Sequence, residues 1–134
     1  MSGAIEDRRR VPARVLHTLF VLAGVAGLLG RDQYAGPGAG AVHDWGGNAS
    51  VSFAIYFLAL RLTSLGRFRV LWAGGLALAA VELFEVFDGF GLMTNVYDPW
   101  DLAANAGGIA LAAGVDVFSA RFFNGRADRP GPGA

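Results

Sequence analysis

Acidic and amide side chains recur inside otherwise apolar stretches of this 134-residue chain, and they are the residues that could do chemistry. Glu82 and Glu85 are three residues apart, which places them on one face of a helix. Asp98, Asp101 and Asn105 follow one another at spacings of three and four and share a face in the same way. Ionisable groups at membrane depth are costly unless they are paired or hydrated, so these positions are candidates for function.

The chemistry that these groups predict is ligand binding through oxygen atoms. Asp44 and Asn48, at the entry to another apolar stretch, add a carboxylate and an amide to the set. We expect Glu82 to be protonated or hydrogen-bonded, at a depth in its helix that matches the depth of Asn105. A lipid head group would suit these donors and acceptors. Calcium or magnesium would suit the same oxygens if a metal binds, and the sequence leaves that question open.

Some of these residues also have a structural interpretation. Asp98 is followed by a proline and, three residues later, by an acid, which is the pattern of a helix N-terminus, so capping is its favoured role. Glu82 and Asn105 lie too far inside their segments to cap a helix. Hydrogen bonding between helices is the structural alternative for both.

A second polar set, formed by His17, Arg61 and Asp116, lies toward the other ends of the segments. Asp116 follows Asn105 by eleven residues, about 16 Å along a helix. We predict that Arg61 pairs with Asp116, and we interpret His17 as an interfacial polar residue.

Catalytic patterns are missing from the sequence. It contains no His-Glu-x-x-His, no Gly-x-Ser-x-Gly and no phosphate-loop motif, and it has no cysteine to act as a nucleophile or metal ligand. We therefore favour a protein without enzymatic activity and expect no cofactor. An intramembrane hydrolase with Glu82 and Glu85 as acid and base is ranked last.

Four apolar segments carry or flank these polar residues. They cover residues 15–30, 49–65, 70–87 and 102–118, with a flexible connection predicted at 35–41. The chain is 54% hydrophobic, a composition that excludes a disordered protein. Only 16% of its residues are charged, which is a smaller charged fraction than that of an ordinary soluble domain. We predict an all-α fold, an integral membrane bundle of four transmembrane helices.

The arginines predict the orientation of this bundle. Ten of the eleven lie before the first segment, near the end of the second, between the second and third, or after the fourth. The other two connections contain five aspartates and only Arg31. Because basic residues are enriched on the cytoplasmic side, we place both termini in the cytoplasm. The predicted organisation is a cytoplasmic tail at 1–12, a membrane domain at 13–120 and a second cytoplasmic tail at 121–134.

The first segment has an alternative interpretation as a cleaved signal peptide. An uncleaved anchor is favoured, because the nearest small-x-small cleavage pattern lies well beyond the apolar run.

Small residues recur at spacings that let helices approach closely. Ala104, Gly108 and Ala112 are four apart in the fourth segment, and Gly75 and Ala79 repeat the spacing in the third. Both sets are predicted to lie at contacts between helices, so we expect a tight bundle.

The order of these features resembles the VanZ-like membrane protein family. The run from Asp98 through Asp101 and Asn105 to Gly108 is similar to the Asp-x-x-Asp-x-x-x-Asn-x-x-Gly stretch that leads into the family's fourth span. Glu82, with an acid three residues later, resembles the Glu-x-x-Gln of its third span.

The second-span motif of the family also has a counterpart, in Asp44 and Asn48. Three positions depart from the family pattern. Asn48 stands where histidine is expected, Glu85 replaces glutamine, and Asn95 stands where arginine is usual. The predicted site is therefore more acidic than the family's.

The resemblance implies a cell-envelope role in the bacterial inner membrane, in the setting of glycopeptide-antibiotic resistance, for which the family is named. We expect the chain to bind a lipid head group or envelope ligand at an outward-facing acidic rim. The rim consists of Glu82, Glu85, Asp101, Asn105, Asp98, Asn48 and Asp44.

The main alternative is a structural or assembly subunit of a larger membrane complex. Membrane lipid is the expected partner, together with a membrane protein or a second copy of the chain. Nucleic acid is not expected, because the formal net charge is zero.

Overall fold

The computed structural model describes residues 12–62, 66–87 and 98–124. This part of the chain is all-helical and contains no strand, which confirms the predicted all-α class. The four α-helices are α1 (Ala13–Gly30), α2 (Ala39–Leu62), α3 (Arg69–Val86) and α4 (Pro99–Asn124). Short 3-10 turns follow α1 at Arg31–Gln33 and precede α3 at Gly66–Phe68.

The second helix lies at the centre of the bundle. It packs against α1, α3 and α4, and α3 also packs against α4. Among the described residues, no Cα atom of α1 lies within 8 Å of α3 or α4. Three helices therefore form a close group, and α1 is attached to it through α2.

The core combines two large aromatic residues of α2 with small residues of its neighbours. Tyr56 and Phe57 are fully buried, and they pack in one cluster with Ala73 and Ala77 of α3 and Ala112 of α4. Alanines let the backbones approach, so that the aromatic rings of α2 fill the remaining space.

The close packing predicted for α4 is observed. Gly108 is buried where α4 crosses α2, and a Cβ atom there would overlap the backbone of Ala49. The corresponding prediction for α3 is wrong, because Gly75 and Ala79 are exposed. The buried alanines of α3 begin two residues earlier, at Ala73, so its packing face is rotated away from the predicted one.

Two helices extend beyond the predicted segments. The second helix begins at Ala39 rather than at residue 49, so the end of the predicted flexible connection is helical. Gly38, with a φ of 74°, immediately precedes it, and the amide of Val42 donates to the Gly38 carbonyl. The fourth helix continues to Asn124, past the predicted end of the membrane domain at 120. The backbone hydrogen bonds of a helix do not require apolar side chains, so a helix can extend beyond its apolar run.

Two of the four helical segments are long and apolar enough to cross a membrane, Ala13–Gln33 and Pro99–Phe122. In the 18-residue apolar window of each segment, 6% of the residues of the first and 22% of those of the second are buried. The third helix carries Arg69, Glu82 and Glu85 within its 18 residues, which lowers its apolar character.

Candidate functional site

A few polar side chains are buried in the mainly apolar interior of the bundle, while many large apolar side chains lie on its surface. Large apolar side chains point outward on several helices, among them Leu29, Leu71 and Phe118, each about 70% exposed. The polar side chains that are buried in the described part of the chain are Ser52, Asn105, Asp116 and Ser119. The candidate sites therefore lie between the helices.

One site, the Asn105 cluster, consists of Ser52, Glu82 and Asn105. The hydroxyl of Ser52 donates to Oδ1 of Asn105 at 2.7 Å, and Nδ2 of Asn105 donates to Oε1 of Glu82 at 3.4 Å. Asn105 thus links α4 to both α2 and α3. The matching depth of Glu82 and Asn105 that the sequence predicts is observed in this contact.

Three more of the predicted site residues lie beside this cluster along their helices. Asn48, Glu85 and Asp101 each lie about one helical turn from a member of the cluster, toward the same end of the bundle. All three are half-buried. The Asn105 cluster therefore has half-buried amide and carboxylate groups on its acidic side, each about one turn away along its own helix.

The remaining predicted residues, Asp98 and Asp44, are exposed at the same end. Oδ1 of Asp98 accepts a hydrogen bond from the backbone amide of Trp100 at 3.0 Å, which confirms that Asp98 caps α4. Within the described ranges, neither residue contacts the Asn105 cluster.

A second site, the Asp116 cluster, takes one side chain from each helix. Arg69 donates through Nη2 to both carboxylate oxygens of Asp116, at 2.9 and 3.0 Å. The hydroxyl of Tyr56 lies 3.4 Å from Oδ2, and Nε2 of His17 lies 3.6 Å from Oδ1. The carboxylate is 1% exposed, so these contacts replace water around a buried charge.

The predicted pairing of Asp116 with Arg61 is wrong. Arg61 donates through Nη1 to the hydroxyl of Thr18 at 2.9 Å, which connects α2 to α1. Arg69 is the partner of Asp116 because α3 begins at that residue and packs beside α4. The position of Arg69 at the same end of the bundle as Asp116 could have suggested this pair. Whether Arg61 or Arg69 reaches Asp116 depends on how α2 and α3 are rotated about their axes.

The hydrogen-bonding capacity of the interior is used within the bundle. In the described residues, no fully buried side-chain nitrogen or oxygen lacks a hydrogen-bond partner. No group of three His, Cys, Asp or Glu side chains in those residues could hold a metal ion. In the Asp116 cluster the buried carboxylate has partners on the three other helices, whereas the Asn105 cluster borders the half-buried Glu85 and Asp101.

The motif residues behind the family resemblance have visible structural roles. Asp98 caps α4, Asn105 bridges three helices, and Gly108 allows α4 to touch α2. No family model, curated protein or solved structure matches this chain. The VanZ-like assignment therefore rests on the motif residues alone and stays a prediction.

Proposed function

We propose that the chain is an integral membrane protein of the bacterial inner membrane, in which all four helices cross the bilayer. The observation that carries this proposal is the exposure of large apolar side chains around the bundle, together with the burial of Asn105 and Asp116 inside it. Such a surface suits a hydrocarbon solvent. The polar residues of α2 are compatible with a span, because α2 is surrounded by the other helices and Ser52 faces the interior.

The two ends of the bundle carry opposite charge. The arginine end carries the basic residues of the described chain other than Arg31, namely Arg14, Arg61, Arg67, Arg69 and Arg121. The acidic end carries Asp32, Asp44, Glu82, Glu85, Asp98 and Asp101. Because basic flanks stay in the cytoplasm, the arginine end is cytoplasmic, both termini are cytoplasmic, and the acidic end faces outward.

The proposed activity is binding of a lipid head group or another envelope ligand at the acidic end. Oε1 of Glu82 accepts a long hydrogen bond from Asn105, and a carboxylate has further acceptor sites beyond that one. Glu85 and Asp101 add carboxylates one turn farther out. Such a rim favours a ligand that presents an ammonium or hydroxyl donor, and the ammonium of phosphatidylethanolamine is the simplest example.

The VanZ-like resemblance supports the same location. Its motif residues come from three separate segments, and Asn48, Glu82 and Asp101 lie near one end of the bundle. We therefore propose a divergent member of that family with a role in the cell envelope and in glycopeptide-antibiotic resistance.

The topology can be tested directly because the chain has no cysteine. Single cysteines would be introduced by Asp44→Cys and Arg67→Cys, both at exposed positions at opposite ends. A membrane-impermeant maleimide should label the first in intact spheroplasts and the second only after permeabilisation. The opposite pattern, or a protein that stays in solution without detergent, would overturn the proposal.

Ligand binding can be tested with vesicles that contain equal amounts of phosphatidylethanolamine and phosphatidylcholine. We expect native mass spectrometry of the extracted protein to show preferential retention of phosphatidylethanolamine, and Glu82→Gln to reduce that preference. Asp32→Asn is the matched control, because it also removes one carboxylate at the acidic end but lies outside the Asn105 cluster. Equal retention of phosphatidylethanolamine by Glu82→Gln and Asp32→Asn would contradict a ligand site at Glu82.

A specific observation favours a second candidate, a structural or assembly subunit. Gly75 and Ala79 of α3 and Gly107 of α4 are exposed, and small outward-facing residues suit contact with another membrane helix. Affinity purification from native membranes in mild detergent separates the two candidates. A stoichiometric protein partner would favour the subunit, whereas a single chain that carries lipid would favour the binding protein.

A further inference from the structure

An open groove of about 630 Å³ lies between α1 and α4. Phe20 of α1 forms one wall, and the face of α4 over residues 110–122 forms the other. Apart from Ser119, its lining is apolar. No Cα atom of α1 lies within 8 Å of α4 in the described chain, so the two backbones stay apart, although the side chains of His17 and Asp116 meet.

The groove has the length of one membrane leaflet. Residues 110–122 span about 18 Å of helix, against about 15 Å for half of a typical hydrocarbon core. These residues belong to the half of α4 that leads to the arginine end. Gly114 lies in the middle of this face with open space around its Cβ position, which deepens the groove there.

A cationic side chain stands at the end of this groove. Arg121 is exposed and follows Gly114 by seven residues, about two turns, which places both on the same face of α4. Five arginines surround this end of the bundle, and the buried Asp116 is the acid among them in the described residues. Asp116 is already paired with Arg69, so the end keeps a positive charge that complements an anion.

We propose that this groove binds an anionic glycerophospholipid, with one acyl chain between α1 and α4 and the phosphate at Arg121. The inference rests on the proposed membrane insertion, but it concerns a different ligand at the opposite end from the acidic rim. An apolar groove with the length of one leaflet accepts an acyl chain. The arginines favour a lipid whose head group carries a net negative charge.

The test uses the full chain in vesicles that contain equal amounts of phosphatidylglycerol and phosphatidylcholine. After extraction in mild detergent, native mass spectrometry should show that phosphatidylglycerol is retained preferentially. Gly114→Leu fills the groove and should remove most of this bound lipid. Gly75→Leu is the matched control, because Gly75 also has open space around its Cβ position but lies on α3, away from the groove.

The head-group part of the proposal has its own pair of variants. Arg121→Gln should reduce the preference for phosphatidylglycerol over phosphatidylcholine by about five-fold, the effect of one favourable surface charge. Arg67→Gln removes an exposed arginine at the same end, beside Phe68 rather than beside the groove, and should leave the preference unchanged. If Gly114→Leu fails to fold, the Arg121 and Arg67 variants still decide the proposal.

Several results would overturn this inference. The first is equal retention of phosphatidylglycerol and phosphatidylcholine by the unaltered protein. The second is equal retention of phosphatidylglycerol by Gly114→Leu and Gly75→Leu when both fold. The third is an equal preference for phosphatidylglycerol in Arg121→Gln and Arg67→Gln. Failure of the membrane proposal is distinguishable, because the cysteine-labelling pattern would already be wrong. Glu82→Gln should leave phosphatidylglycerol retention unchanged, since Glu82 lies at the opposite end.

Discussion

Arg69, the first residue of α3, donates to both carboxylate oxygens of Asp116 on α4, at 2.9 and 3.0 Å. The carboxylate is buried, and the arginine side chain is 38% exposed. A charge-assisted hydrogen bond of this kind is stronger than one between neutral groups. The pair therefore connects α3 to α4 at the arginine end.

Loss of the arginine should be strongly destabilising. In Arg69→Gln the buried carboxylate of Asp116 loses its cationic partner, and we expect a loss of about 3 kcal/mol in unfolding free energy. This value lies at the low end of the free-energy losses expected when one partner of a buried ion pair is removed, because Arg69 is partly solvated. Denaturation in mild detergent, followed by circular dichroism, measures the effect.

Arg61→Gln is the matched comparison for that experiment. Among the described residues it removes the exposed hydrogen bond to Thr18, so we expect a loss of no more than about 1 kcal/mol. A larger loss for Arg61→Gln than for Arg69→Gln would contradict the observed pairing.

Two adjacent glycines of α4 should respond in opposite directions to alanine. A methyl group at Gly108 meets the backbone of Ala49 and forces α2 and α4 apart, so Gly108→Ala should destabilise the bundle by about 1–3 kcal/mol. The position of Gly107 is open, so Gly107→Ala should be neutral or stabilise the helix by up to about 1 kcal/mol. Thermal unfolding of the two purified variants compares them, and equal midpoints would argue against the close contact.

The hydrogen bond between Ser52 and Asn105 should appear as coupling in a double-mutant cycle. We expect Ser52→Ala and Asn105→Ala to be coupled by about 1 kcal/mol, since both groups are buried and bonded at 2.7 Å. Ser119→Ala with Asn105→Ala is the control pair, because the Ser119 hydroxyl donates to the carbonyl of Asp116 in its own helix. Unfolding free energies of the single and double variants give the coupling, which should be near zero in the control pair.

Asp98 should affect stability without affecting ligand retention. Asp98→Ala removes the bond to the Trp100 amide and should cost about 1 kcal/mol of helix stability. Retention of phosphatidylethanolamine should stay the same, because Asp98 lies outside the Asn105 cluster. A clear drop in retention without a change in stability would instead make Asp98 part of the ligand site.

Local patterns predicted much of this structure. The acid before a proline identified Asp98 as a cap, because capping depends only on a few consecutive residues. Helical rise alone placed Glu82 and Asn105 at the same depth, and the two side chains meet. The apolar runs located four helices, but α2 begins ten residues earlier than its run, because the run marks apolar surface and not backbone hydrogen bonding.

Local spacing and the order of residues along the chain were enough to predict the all-helical class, the capping of α4 and the opposite charges of the two ends. Three features could be seen only in the folded bundle: Asp116 pairs with Arg69, Gly108 rather than Gly75 lies at a helix contact, and a groove separates α1 from α4. Each of these depends on the rotation of a helix about its axis and on its distance from its neighbours. A difference of two residues in the packing face turns a small side chain from the interior to the surface.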